Sequence, residues 1–114
     1  MFKNFYLLFF VFLSNLFAMD FTKELMQSAK NGNIEKIQKI LMSGFDINTR
    51  DPNNRHTALI WAARKGYKDI VELLLNEGAD INATTNLGMT ALAWAKIYEQ
   101  KEIVEFLRNR GAIE

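Results

Sequence analysis

The chain has 114 residues, with 14 basic and 13 acidic side chains, a formal net charge of +1 and no cysteine. The lack of cysteine excludes disulfides, thiolate metal sites and cysteine nucleophiles, and the length allows one modest domain. A nucleic-acid-binding domain concentrates basic residues on one face, and this near-neutral chain gives no sign of that. We therefore expect a small domain held together by packing alone, with no nucleic-acid partner.

Residues 1–18 have the pattern of an export signal. A positive start at Lys3 precedes an unbroken apolar run over 5–13, and Ala18 is a small residue at which a signal peptidase can cut. That run is short for a membrane span, which needs about 20 apolar residues. Leu16 is larger than the residue preferred before such a cut, so an uncleaved membrane anchor and a buried first helix stay open as alternatives. A cleaved signal predicts a periplasmic or secreted protein. Contact with a membrane is expected only if the segment is retained.

The remainder of the chain repeats itself about every 33 residues. Matched residues lie 33 positions apart in the second half and 34 apart upstream. The matched pairs include Thr57 and Thr90, Trp61 and Trp94, Gly78 and Gly111, Gly44 and Gly78, and Gly32 and Gly66. The extra residue falls in a turn at 51–54, where an insertion costs little loop entropy. Three units result, at about 21–50, 51–83 and 84–114.

Each unit predicts two helices followed by a loop. In the middle unit, Thr57 precedes an alanine-rich stretch and can cap a helix with its hydroxyl. Gly66 ends that helix, where a positive φ is wanted. A second helix is predicted from about residue 68 to residue 76, and Gly78 ends it. The segment 80–82 then begins an extended loop that leads to the next threonine.

The segment Thr57–Ala83 resembles the ankyrin repeat, with Thr-Ala-Leu near its start and Gly-Ala-Asp-Ile-Asn near its end. The resemblance extends over residues 22–114. It implies an all-α fold, an ankyrin-repeat solenoid of three helix-turn-helix repeats with protruding hairpin loops. Residues 19–114 would then form one ankyrin-repeat domain behind the signal, with about the minimum number of repeats for a stable array. Low proline with abundant Asn, Lys, Ile and Phe indicates a bacterial source.

The outer units depart from the middle one. Gln27 stands where the other units carry tryptophan, and Arg108 stands at the position of Leu75. Both changes fit the polar outer face that terminal repeats need. Glu99 stands where the family has glycine, so the turn after Tyr98 departs from the family's pattern.

No group of residues in the sequence indicates catalysis. His56 is the one histidine, and its position predicts an exposed loop residue, whereas a catalytic base needs a positioned partner and a pocket. The sequence has no G-x-S-x-G elbow and no glycine-rich phosphate loop. Asp and Asn in 46–48 and 80–82 are too sparse for calcium, and we expect them to bond loop backbone. We therefore predict no enzyme, cofactor or metal, and we expect Trp61 and Trp94 to pack between repeats.

The resemblance implies an unidentified protein partner that binds the loop tips and the concave face of the first helices. Corresponding positions in this chain lie in the two loops and at the ends of the first helices. They are Arg50, Asn53, Asn54, His56, Arg64, Lys65, Leu87, Met89, Ile97 and Tyr98. Four of them, Leu87, Met89, Ile97 and Tyr98, predict exposed apolar surface near one end, a frequent mark of a contact site. We expect the protein itself to be a monomer.

Other interpretations remain beside the exported binding module. One is the same module tethered to a membrane by an uncleaved first segment. Another is an inhibitor or immunity-like protein that masks an enzyme or toxin. A small enzyme or ligand-binding protein would require a pocket with convergent ionisable groups, and the sequence provides none.

Overall fold

A computed structural model describes residues 21–114 of the protein. The expected export signal over 1–18 lies outside the described residues. The helices are α1 (residues 21–31), α2 (Ile34–Met42), α3 (Ala58–Lys65), α4 (Lys68–Asn76), α5 (Ala91–Ile97) and α6 (Lys101–Asn109). Residues 21–114 contain no strand. The six helices follow one another as three pairs, which confirms the predicted all-α fold of three helix-turn-helix repeats.

Threonine hydroxyls begin the first helices of the second and third repeats. Thr57 Oγ1 accepts a hydrogen bond from Ile60 N at 3.2 Å, and Thr90 Oγ1 accepts one from Ala93 N at the same distance. Each bond satisfies a backbone donor that the first turn of a helix leaves free. Gly66 ends α3 with a φ of 88°. The predicted caps of the middle repeat are therefore confirmed.

The third repeat makes the equivalent turn without glycine. Glu99 adopts a φ of 55°, in the left-handed region that Gly66 occupies in the repeat before it. A hydrogen bond of 2.8 Å from Gln100 N to Ala95 O closes the turn. The turn after Tyr98 is thus kept, although a side chain in this conformation is less favourable than glycine.

The helices pack in two layers. In the first layer α3 packs on α5, and in the second α4 packs on α6. Within the second and third repeats, α3 packs on α4 and α5 packs on α6. Alanines at the fully buried positions 62, 63 and 95 let the helices approach closely. The second helices supply large buried side chains, namely Ile37, Ile70, Leu74, Ile103 and Leu107.

Asparagine side chains at the loops join each repeat to the next. Asn48 Oδ1 accepts a hydrogen bond from Asp80 N at 2.8 Å, and Asn82 Oδ1 accepts one from Ile113 N at 3.0 Å. Asp46 Oδ1 and Asp80 Oδ1 accept bonds from the backbone N–H of Asn48 and Asn82. The expected bonding of loop backbone is confirmed, and it reaches across the repeat boundary.

Polar side chains cover the two outer repeats. Gln27 is exposed, as predicted. At the other end, Arg108 Nε donates to Glu114 Oε1 at 2.6 Å, and Lys96 Nζ donates to the other carboxylate oxygen. These two hydrogen bonds, first that from Arg108 and then that from Lys96, lower the pKa of Glu114 to about 2. The exposed end of the third repeat is therefore an ion-paired surface.

Candidate functional site

An aromatic cluster joins His56 of the first loop to the first helices of two repeats. The His56 ring stacks on Trp61 with centroids 4.7 Å apart and lies 5.6 Å from the Trp94 ring. Trp94 in turn lies 6.0 Å from Tyr98, nearly parallel to it. Trp61 is 8% exposed and belongs to the core, as predicted, whereas Trp94 is half-buried.

The prediction that His56 is an exposed loop residue is wrong. The side chain is 4% exposed. Arg55 before it has a φ of 61°, which turns the chain so that the histidine ring meets tryptophan rather than water. The loop holds this conformation because Asp51 N donates to His56 O at 2.8 Å and His56 N donates to Asn54 Oδ1 at 3.4 Å.

Burial favours the neutral form of His56. Burial is the main cause that lowers the pKa of His56, and the positive charges of Arg64 and Lys30 act in the same direction. The bond to Asn54 and the charge of Asp51 oppose this shift without cancelling it. Both ring nitrogens lack a hydrogen-bond partner among residues 21–114. His56 therefore has neither the accessibility nor the partner that a general base needs.

Arg64 is the cation of the cluster. Its guanidinium carbon lies 5.0 Å from the Trp61 centroid, 4.7 Å from Trp94 and 5.1 Å from Tyr98. Arg64 Nη2 also donates to Tyr98 Oη at 2.9 Å. The structure thus brings together two residues that the sequence proposed separately, Arg64 and Tyr98, from neighbouring repeats. Attraction between a guanidinium and aromatic faces fixes the position of this side chain.

Lys30 extends the cluster into the first repeat, and the sequence reasoning missed it. Its ammonium lies 4.3 Å from the Trp61 centroid. Lys30 precedes Arg64 by the same 34 positions that separate the matched glycines of these repeats. Because Arg64 was a predicted site residue, this offset could have identified Lys30 from the sequence. Lys65, which was predicted, is exposed on α3.

The polar candidates of the loops mainly hold the loops together. Arg50 Nη1 donates a hydrogen bond to Thr84 O, and this bond links the first loop to the second. Asn54 O accepts a bond from Asn86 N at 3.1 Å, a second link of the same kind. Asn53 is exposed at the tip of the first loop. Among these residues Asn53 presents the most accessible side chain, while Arg50 and Asn54 are half-buried.

The predicted apolar surface is present in part. Leu87 is 74% exposed, Ile97 is 57% exposed and Tyr98 is 45% exposed. Met89 is half-buried, because the second loop folds back at Thr85, whose hydroxyl accepts a bond from Met89 N at 3.3 Å. The accessible apolar side chains of this region are therefore Leu87, Ile97 and Tyr98.

A groove runs between α1 and the first loop. It has a volume of about 320 Å³. Its lining includes Lys23, Gln27 and Lys30 from the helix and Asp51 and Asn53 from the loop. The helix residues of this groove, Lys30 included, were not among the predicted site residues.

Residues 21–114 contain no group of three or more His, Asp or Glu side chains placed to hold a metal ion. Within the same range, no helix combines the length and the apolar character needed to cross a bilayer. The first helices present cations, aromatic rings and exposed apolar side chains.

Comparisons with known proteins agree with this architecture. Residues 25–113 match the family model for ankyrin repeats in three copies. The chain is 35% identical over 66 residues to Ankyrin repeat domain-containing protein 40 of Mus musculus, covering 58% of this chain and 18% of that protein. It is 45% identical over 64 residues to Serine/threonine-protein kinase 12 of Arabidopsis thaliana, covering 56% of this chain and 14% of that protein.

The similarity to Ankyrin repeat and KH domain-containing protein mask of Drosophila melanogaster is 40% identity over 65 residues, or 2% of that protein. The chain thus spans less than a fifth of the length of these relatives. Because the family match covers most of the sequence and the paired helices follow the repeat boundaries, the chain belongs to the ankyrin-repeat family.

Proposed function

We propose that this protein is a non-catalytic module that binds another protein through its first helices and loop tips. Ankyrin repeats generally mediate interactions between proteins. The observation that carries the proposal for this chain is the surface at Arg64, where a guanidinium lies over three aromatic rings and bonds the exposed Tyr98. Ile97, the residue before Tyr98, is exposed as well. Aromatic and arginine side chains are the residue types enriched where binding energy concentrates.

Binding is favoured over catalysis by the state of the titratable groups. His56 is buried, burial lowers its pKa, and its ring nitrogens have no hydrogen-bond partner among residues 21–114. The carboxylates of the described helices lie at exposed or half-buried positions, and Glu24, Glu72, Glu102 and Glu114 are ion-paired. A catalytic site brings ionisable groups together in a pocket, and this surface supports no such arrangement.

Export completes the proposal. The first 18 residues carry the signal pattern, and cleavage after Ala18 would release a periplasmic or secreted module that begins at Met19. Retention of the segment would give the same module on a membrane anchor. The mass of the processed protein, purified from the cell envelope, distinguishes the two, because cleavage removes residues 1–18.

The binding surface is tested by capturing partners from a cell-envelope extract of the source organism. Wild-type protein is compared with the double variant Ile97→Ser and Tyr98→Ser, with retained proteins quantified by mass spectrometry. Met42→Ser is the matched control, because Met42 is 86% exposed but lies on α2 in the other helix layer. We expect wild type and the control to retain the same partner and the double variant to lose it. Equal retention by the double variant would place the binding site elsewhere.

A further inference from the structure

Charge is divided unequally between the two helix layers. The first helices α1, α3 and α5 carry five basic residues and one acidic residue, whereas the second helices α2, α4 and α6 carry five of each. The basic residues of the first layer are Lys23, Lys30, Arg64, Lys65 and Lys96. The acidic residue is Glu24, and Lys36 of α2 pairs with it at 2.8 Å. The face of the first helices therefore has an excess of positive charge.

The central cations of that face have no carboxylate partner in the part of the chain that the structure describes. Each ion pair there with N–O at or below 4.0 Å involves Lys36, Lys68, Lys96 or Arg108. Lys30, Arg64 and Lys65 are absent from these pairs. Asp51, the acidic residue at the tip of the first loop, accepts its side-chain bond from Asn53 N at 2.8 Å.

The positions of Lys30 and Arg64 are set by the rings they contact. Both charges lie within 5.0 Å of the Trp61 centroid. The bond from Arg64 to Tyr98 Oη uses one of the five N–H donors of a guanidinium. A cation that is already ordered loses less side-chain entropy when it binds an anion. A guanidinium also fits a carboxylate with two parallel hydrogen bonds.

We propose that this surface binds an acidic segment of the partner protein, with a Glu or Asp carboxylate on the Arg64 guanidinium and an adjacent apolar side chain against Ile97 and Tyr98. Lys30 and Lys65 add positive potential beside the carboxylate. The inference rests on the proposed function, since it specifies which class of polypeptide the binding surface accepts.

Charge complementarity selects a polypeptide over a nucleic acid. The full chain has a net charge of +1, and a nucleic-acid surface relies on many phosphate contacts from a dense basic patch. Here Arg64 bonds Tyr98, which is 45% exposed, and the preceding residue Ile97 is 57% exposed. A segment that alternates acidic and apolar side chains matches both features.

The experiment selects short random peptides displayed on phage against the full-length protein. We expect the bound peptides to be enriched in Glu or Asp next to an apolar residue. The affinity of one enriched peptide is then measured by fluorescence polarisation for wild type and for Arg64→Gln. Replacing its acidic residue by the matching amide, or replacing Arg64 by Gln, is expected to weaken binding about tenfold or more, because a charged hydrogen bond is lost.

The two changes should not add when combined, because they remove the same contact. Arg110→Gln is the matched control. Arg110 also lies over an aromatic ring, 5.5 Å from the Phe106 centroid, but at the end of α6 in the other layer. We expect Arg110→Gln to leave the peptide affinity unchanged within about twofold, since the peptide carboxylate is expected to contact Arg64 and not Arg110. Circular dichroism checks that each variant is folded.

Enriched peptides without acidic residues, or equal binding of the acidic and amide peptides, would overturn this inference and leave the proposed function standing. Displacement of the peptide by a single-stranded oligonucleotide at equal concentration would overturn it in favour of a general anion site. If Arg64→Gln does not fold, the comparison of acidic and amide peptides on wild type still decides. The capture of partners from the cell extract, by wild type and by the double variant at Ile97 and Tyr98, tests the proposed function and not the class of peptide.

Discussion

Glu99 occupies the backbone conformation that Gly66 occupies one repeat earlier, with φ values of 55° and 88°. In the earlier repeats a residue of the next repeat lies close to this turn, as Gln100 does at Gly66 and Tyr67 at Gly32. The side chain at position 99 is exposed. Glutamate is therefore tolerated there at the cost of an unfavourable φ.

Replacing Glu99 by glycine should stabilise the protein. A non-glycine residue in the left-handed region costs about 1–2 kcal/mol. Glycine removes this cost, but part of the gain in stability is offset because glycine gives the unfolded chain more freedom. We expect the free energy of unfolding to rise by up to about 1 kcal/mol in urea denaturation. Glu77→Gly, which removes the same charge at a φ of −90°, is the control and should bring no gain. Equal or lower stability of Glu99→Gly would contradict the assignment of strain to this turn.

Gly66 should tolerate alanine less well than Gly78 does. Both have a positive φ, but a Cβ at Gly66 would approach Gln100 Oε1 to 2.6 Å, whereas nothing lies within 4 Å at Gly78. Gln100 is flexible and can move, at the loss of its bond of 3.3 Å to Arg64 O. We expect Gly66→Ala to cost about 1 kcal/mol more than Gly78→Ala, the value of one lost hydrogen bond.

The excess cost should disappear when Gln100 is also alanine, because the clash and the hydrogen bond are then both absent. Chemical denaturation of the single and double variants measures this coupling. Identical costs for Gly66→Ala and Gly78→Ala in the wild-type background would mean that Gln100 does not constrain the turn.

Stability should fall as the pH falls below neutrality because of His56. Burial lowers the pKa of the folded-state histidine below its usual 6.5, with Arg64 and Lys30 acting in the same direction. The unfolded state therefore binds more protons as the pH falls through that range, so the contribution of His56 is complete above it and is lost below it. One proton limits the slope to about 1.4 kcal/mol per pH unit.

The measurement is urea denaturation of wild type and His56→Phe at pH values between 5 and 7, a range set by the usual histidine pKa of about 6.5. Phenylalanine keeps a ring against Trp61 and does not titrate. We expect the stability of wild type to decrease toward the lower pH and that of His56→Phe to change less. A slope that is the same in both proteins would show that His56 is not the source of the pH dependence.

The fold follows from local features that the sequence displays directly. Thr57 and Gly66 act within a few residues of their own position, through a hydroxyl cap and a positive φ, so the limits of α3 could be predicted from the sequence alone. The repeat of about 33 residues then predicted the corresponding helices in the neighbouring units. The candidate site was predictable at Arg64, Ile97 and Tyr98, whose positions at the helix ends follow from the same register.

What the tertiary structure decided is where side chains from different repeats meet. His56 is buried because the left-handed turn at Arg55 brings its ring against Trp61 and near Trp94, and no local pattern contains that contact. Arg64 joins Tyr98 across 34 residues for the same reason. The sequence by itself determined the helices, caps and repeat boundaries, since these depend on neighbours along the chain. The aromatic cluster and its unpaired cations depend on stacking between repeats, which only the folded chain brings about.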